Sequence, residues 1–222
     1  MEPNSKEPLI LIGIPTLDTI KTDTVISLMS TTAVTKYRAK LHILKSSVVH
    51  DARNKIVEKA LEENASHVLF IDSDLKFPPW AMDMLVDQKK DIVAGVYVSK
   101  QIPHMPLVSK KTTNGKLRVV TDFPRDRVFE ADAIATGFML INMDVIKKIK
   151  PPYFSFDGEF NGTKLGEDYY FCLKARDAGF KVYADPRLEL AHIGDYGFDY
   201  KDFDAYNDLV EKDQSYEYDG KL

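Results

Sequence analysis

The chain has 222 residues, 44% of them hydrophobic and 29% charged, which is enough for one sizeable domain with its own core. That ordinary composition excludes a disordered or collagenous chain, and no apolar run approaches the ~18 residues of a spanning helix. The net charge of −4 is uneven: Asp195–Leu222 holds nine acids and three lysines, leaving this stretch at −6 and the rest at +2. Neither part has the basic stripe that nucleic-acid binding needs. The lone Cys172 cannot form an internal disulfide, and the opening MEPNSKEPLILIGIPT has too short an apolar run for a secretory signal. The expectation is a soluble protein of the reducing cytoplasm.

In chain order, Leu9–Ile14 is an apolar run closed by Pro15, read as a buried strand. Residues 23–37 have helical spacing, with Val25, Ile26, Met29 and Ala33 as the apolar stripe. Leu41–Leu44 is a short strand. Residues 51–64 form an amphipathic helix with Ile56, Val57, Ala60 and Leu61 on one face. Val68–Ile71 is the strongest buried strand, and it stops at Asp72-Ser73-Asp74. Pro79 is placed in the first turn of a helix reaching about Lys89, and Ile92–Ala94 is the next strand. This alternation predicts an α/β domain with a mostly parallel sheet between helices.

The middle changes character. Asn114-Gly115, between Pro106–Val108 and Lys116–Val120, signals a hairpin and hence a small antiparallel part. Phe138–Ile141 is a strand, Met143–Ile149 a helix, and residues 155–166 a loop without periodicity. A helix over Glu167–Ala178, stopped by Gly179, and a strand at Lys181–Tyr183 complete the body. The economical division is one domain over 1–194 and an acidic, aromatic extension over 195–222. Aromatics at the density of Tyr196, Phe198, Tyr200, Phe203 and Tyr206 usually pack on something. With Tyr216 and Tyr218 further on, Tyr196–Val210 is therefore expected to dock on the domain and the last several residues to fray.

Four features carry chemistry. Asp72 and Asp74, at i and i+2 on an extended segment, share one side at the C-terminal end of a strand, where open α/β sheets bind ligands. Two hard oxygens there suit Mg²⁺ or Mn²⁺ with a phosphate; a plain Asx turn is the alternative. Glu167 and Asp168 open a helix, where acids complement the dipole, but a carboxylate beside a loop is also placed to be a general base. His192 follows an apolar stretch and is a core residue or a metal ligand. At Asp51-Ala52-Arg53-Asn54, Asp51 can cap a helix and Arg53 can reach a diphosphate. The chain lacks the Gly-rich dinucleotide fingerprint, a Walker lysine loop, a Gly-x-Ser-x-Gly elbow and a Cys-x-x-Cys pair.

Together, Ile12–Thr16, Ala52–Asn54, Phe70–Asp74, Thr136–Met139, Gly166–Asp168 and Ala191–Gly194 resemble the motifs of a GT-A glycosyltransferase of the family-2-like kind. The resemblance implies a Rossmann-like GT-A fold and a nucleotide-diphosphate-sugar donor. It implies a glycan or small-molecule acceptor, and Mn²⁺ or Mg²⁺ bridging the diphosphate. It assigns Asp72, Asp74 and His192 to the metal, and Pro15, Thr16, Arg53, Asp72, Ser73 and Gly137 to the donor. Asp168, with Glu167 beside it, is implied as the base of an inverting transfer; some metal-dependent members retain configuration instead. Three other readings remain. A haloacid-dehalogenase-like phosphatase also uses Asp-x-Asp, though on its first strand. A nucleotidyltransferase shares the fold but carries a Gly-rich start with a Lys. A non-catalytic sugar-binding domain would use the same scaffold.

Overall fold

The computed structural model describes residues 8–194 and 197–212. Asp195, Tyr196, Tyr216, Tyr218 and the end expected to fray lie outside the described residues. The first half runs β1 (Leu9–Thr16), α1 (Thr22–Val34), β2 (Arg38–Lys45), α2 (Val49–Glu62), β3 (His67–Ile71), β4 (Leu75–Lys76), α3 (Ala81–Asp87) and β5 (Ile92–Gly95). The middle adds β6 (Val108–Lys111), β7 (Leu117–Val119), β8 (Phe129–Ala131), β9 (Ala133–Ile134), β10 (Phe138–Asn142) and α4 (Met143–Lys148). The last part is β11 (Glu159–Phe160), β12 (Thr163–Lys164), α5 (Glu167–Asp177), β13 (Val182–Asp185), β14 (Ala191–Ile193), β15 (Gly197–Phe198) and α6 (Tyr200–Lys212).

The central sheet has seven strands in the order β2-β1-β3-β10-β5-β13-β8. β1 pairs in parallel with both β2 and β3, and β5 in parallel with β13. β10 and β8 run against the others. The sheet is thus mostly parallel, as the alternation predicts, with β10 inserted backwards between β3 and β5. Period-two alternation divides its side chains between two cores. Leu11, Val68, Phe70 and Met139 face α2, α4 and α5, whereas Ile10, Ile12, Ile14, Leu69 and Ile71 face α1 and α3. Strands covered on both faces need apolar residues at every position, which explains the uninterrupted runs. Gly13 lets α2 lie close, because a Cβ there would strike the Ile56 side chain.

Four local expectations are corrected. α3 begins at Ala81, so Pro79 precedes the helix. The loop over 155–166 contains a hairpin, β11 with β12, turned by Asn161 (φ 49°) and Gly162 (φ 80°). That pair of positive φ values at Asn-Gly is a hairpin turn signal in its own right. The hairpin around Gly115 is displaced: β6 and β7 pair Ser109 with Val119 and Lys111 with Leu117. Finally, α1 buries Thr24, Ser27, Leu28 and Thr31 and turns Val25, Ile26, Met29 and Ala33 outward. The polar side chains go inward because the adjacent turn needs donors: Thr24 Oγ1 donates to Ser73 O at 3.2 Å, and Ser27 Oγ accepts from Phe77 N–H at 3.1 Å.

α6 lies on the segment after β5. Phe203 is fully buried against Val98 and Met105, and the Tyr200 hydroxyl donates to Val96 O. Arg125 stands 3.9 Å from the Phe123 ring centroid and pairs with Asp204 at 2.7 Å. No described helix is long and apolar enough to cross a membrane.

Candidate functional site

The site forms where β1 and β3 end, because there the strand run gives way to polar residues. Three backbone bonds from three separate segments fix Asp72-Ser73-Asp74. Asp72 N–H donates to Gly137 O at 2.8 Å, Lys21 N–H to Ser73 O at 2.8 Å, and Ile193 N–H to Asp74 O at 2.7 Å. The two carboxylates then diverge. Asp72 Oδ1 accepts from Arg53 Nη2 at 2.9 Å, and Asp74 Oδ2 faces Lys100 Nζ at 2.5 Å.

On the inner side, α2 presents Arg53 across to β3 and to the start of α5. Arg53 is 4% exposed and also donates through Nη1 to Glu167, itself buried. Burial alone would lower the guanidinium's affinity for its proton, but Asp72, Glu167 and Asp168 outweigh this and raise it. Its Nε is buried with no hydrogen-bond partner among the described residues. Behind Asp72, Gly137 is required by close approach, since a Cβ there would meet the Tyr97 hydroxyl and lie 2.6 Å from Asp72 Oδ2. Tyr97 Oη accepts from Gly137 N–H at 3.1 Å.

On the outer side, β14 pairs with β4 so that His192 lies opposite Leu75, next to Asp74. His192 Nδ1 is 3.0 Å from Val98 O, and its Nε2 is 3.5 Å from Asp74 Oδ1. A carbonyl only accepts, so Nδ1 carries a proton and Nε2 is the nitrogen that faces the carboxylate. That arrangement needs a proton or a cation between them. Although burial pushes the other way, His192 and Lys100 hold the Asp74 carboxyl down at about 2.

Asp168 is half-buried at the start of α5, where its Oδ1 accepts from Tyr169 N–H at 2.7 Å. Burial, reinforced by the Glu167 carboxylate, pushes the Asp168 carboxyl up to about 7. Of the two acids expected as base and neighbour, Glu167 is tied to Arg53 and Asp168 is the one with the raised value.

A cleft of about 400 Å³ joins these groups: Arg53, Asp72, Asp74, Glu167 and His192 line it together with Pro15, Thr16 and Ser73. Ser46, Ser47 and Val49, which follow β2, also line it and carry no motif in the sequence. Thr16 Oγ1 donates to Thr19 O at 2.7 Å, so its hydroxyl shapes the local turn. Lys100 and Tyr97 also went unread, since each reaches the site only through the course of the chain after β5.

Residues expected at a metal are only partly gathered. Among the described residues no three His, Cys, Asp or Glu side chains group as a metal site. Asp74 Oδ1 and His192 Nε2, with the ring held by a carbonyl on its other nitrogen, are an oxygen–nitrogen pair that fits Mn²⁺ or Mg²⁺. Asp72 departs from that set, its Oδ1 being committed to Arg53.

No family model and no curated protein sequence matches the chain. Solved structures do. The chain is similar to A197 from STIV at 19% identity and TM-score 0.59, over 83% of this chain and 85% of that one. It is similar to the mannose-1-phosphate geranyltransferase of Thermus thermophilus at 10% identity and TM-score 0.52, over 82% and 75%. S. aureus TarS 1–349 aligns at 14% identity and TM-score 0.46, over 90% of this chain and 64% of that one. The fold is GT-A-like. The expected single α/β layer arrangement with small antiparallel sheets is the one observed.

Proposed function

We propose that the cleft binds a nucleoside-diphosphate sugar and transfers the sugar to an acceptor hydroxyl, with Asp168 as the base. The observation that carries this reading is one cleft lined by Arg53, Asp74, Glu167 and His192, with Asp168 next in the chain to the lining residue Glu167. Asp74 is held down at about 2 and Asp168 is pushed up to about 7, so at neutral pH one stays a charged ligand and the other can take a proton. Arg53, with its unpartnered Nε–H, supports an anion at the cleft. The solved structures that share the fold include a protein named as a mannose-1-phosphate geranyltransferase, consistent with chemistry on a sugar phosphate.

In this reading Pro15 and Thr16 border the nucleotide and Ser73 its sugar side. Asp74 and His192 would hold a divalent cation, which would supply Lewis-acid stabilisation to the diphosphate. The acceptor oxygen attacks the anomeric carbon as the bond to the diphosphate breaks. Asp168 takes the hydroxyl proton, and the sugar inverts. Asp72 fixes Arg53, and through it Glu167, so that Asp168 sits beside a satisfied ion network. The test is incubation with a panel of nucleotide sugars and Mn²⁺. Release of nucleoside diphosphate, lost in Asp168→Asn and Asp74→Ala, is the expected result. Release of pyrophosphate from a nucleoside triphosphate and a sugar phosphate would instead make the protein a nucleotidyltransferase.

A further inference from the structure

Lys100 is the basic residue in contact with Asp74 Oδ2, at 2.5 Å, and nothing in the motif reading assigns it a role. It shares a short segment with Val98, whose carbonyl oxygen fixes the His192 ring. Val98 itself is fully buried against Met105 and Phe203, so that end of the segment is anchored by packing. The Lys100 side chain is 31% exposed, so it can leave Asp74 without disturbing the carbonyl that orients His192. Asp74 thus carries an ammonium on one oxygen and the imidazole on the other.

We propose that Lys100 is an internal competitor for the cation site: its ammonium occupies Asp74 in the donor-free protein and yields it when a divalent cation enters with a diphosphate. The proposal rests on the reading of Asp74 and His192 as a cation pair. A divalent ion on Oδ1 and the ammonium on Oδ2 of one carboxylate repel each other, so binding of the metal favours opening of the Lys100 pair. An incoming diphosphate offers the freed ammonium a new anionic partner. Metal and diphosphate then favour each other by the same factor in either order of binding. Lys100 is on this account a positioning residue, and its consequence is that the free protein holds metal weakly.

The test is Mn²⁺ binding to the full chain alone, followed by electron paramagnetic resonance of the free ion. Lys100→Gln is expected to bind Mn²⁺ about tenfold more tightly than the unaltered protein, within the usual range of site coupling. Lys100→Arg, which keeps the charge, is expected to stay near the unaltered value, and Asp74→Asn to lose binding. A gain in affinity cannot arise from misfolding, so a folding defect does not mimic the expected result. Unchanged or weaker binding in Lys100→Gln, with binding still lost in Asp74→Asn, overturns the competitor while leaving the cation pair intact. Binding that survives Asp74→Asn removes the cation pair and the proposal with it.

Discussion

Asp72 leans into the protein and Asp74 leans out of it, although they are two residues apart on one turn. Their exposures are similar, at 25% and 28%, but their partners differ in kind. Asp72 meets Arg53, which is almost wholly buried and bridges to Glu167. Asp74 meets Lys100 and His192, both reached by solvent. The inner group is an ion network whose members cannot separate without stranding a charge in low dielectric. The outer group consists of pairs that water can replace. One turn therefore carries both a structural clamp and an exchangeable binding face.

The strongest way to break this comparison is to remove the clamp. Arg53→Ala leaves Glu167 and Asp72 facing each other without their cation, and should cost about 3–5 kcal/mol of stability. Chemical denaturation measures it. A loss below about 1 kcal/mol, the range of exposed pairs, would place the inner network in the same class as the outer one.

Asp168→Asn separates catalysis from the clamp. Turnover should fall about 100-fold or more, the usual contribution of a general base, while donor affinity measured by calorimetry stays nearly constant. Since burial and Glu167 push this carboxyl up to about 7, the rate of the unaltered protein should rise as pH passes through that value. Stability responds to pH in the opposite direction. A carboxyl that binds its proton more tightly folded than unfolded contributes stability below its ordinary value near 4, and loses it as pH rises through about 7. Asp168→Asn should therefore unfold at higher denaturant than the unaltered protein at pH 8, with the gap closing toward pH 4. A flat rate across pH 6 to 8 would move the base elsewhere.

On the outer face, Asp74→Ala and His192→Ala should each weaken donor binding in Mn²⁺ by about tenfold or more, as metal-site losses usually do. Their stability should change by no more than about 1 kcal/mol, because the pairs removed are partly solvated. Calorimetry and denaturation on the same samples decide it. Equal binding in Asp74→Ala would dissolve the distinction between the two carboxylates from the other side.

Much of this was legible in the residues. Apolar runs mark strands, β1 continuing one pair past the expected stop at Pro15 to Thr16 and β3 stopping before Asp72, because a doubly covered sheet leaves polar side chains only at its ends. Those ends are where Pro15, Thr16, Asp72 and Asp74 meet in the cleft. Their partners were not legible. Arg53 and Glu167 are 114 residues apart in the chain, and Lys100 is 26 from Asp74, so only the path of the backbone brings them together. The reversal of β10 was equally silent. A strand buried on both faces has the same apolar pattern in either direction, and only its pairing, Phe138 with Ile71 and Asn142 with His67, reveals it.

Helix α1 shows the limit of periodicity most directly and supplies the smallest predicted effect. Its apolar stripe has the spacing of a core face, yet Ile26 is 57% and Met29 68% exposed. What fixes α1 is the turn beneath it: Ser73 O takes the Lys21 amide and the Thr24 hydroxyl, and the Ser27 hydroxyl takes the Phe77 amide. Those polar positions must face inward, and the helical period then carries Val25, Ile26 and Met29 to the outside. Met29→Lys and Ile26→Glu should accordingly shift stability by no more than about 0.5 kcal/mol, the range of ordinary surface changes. Ser27→Ala, which strands the buried Phe77 amide, should cost about 1–3 kcal/mol. If urea denaturation reverses that order, apolar packing rather than the polar anchor holds α1 on the Asp72–Asp74 turn.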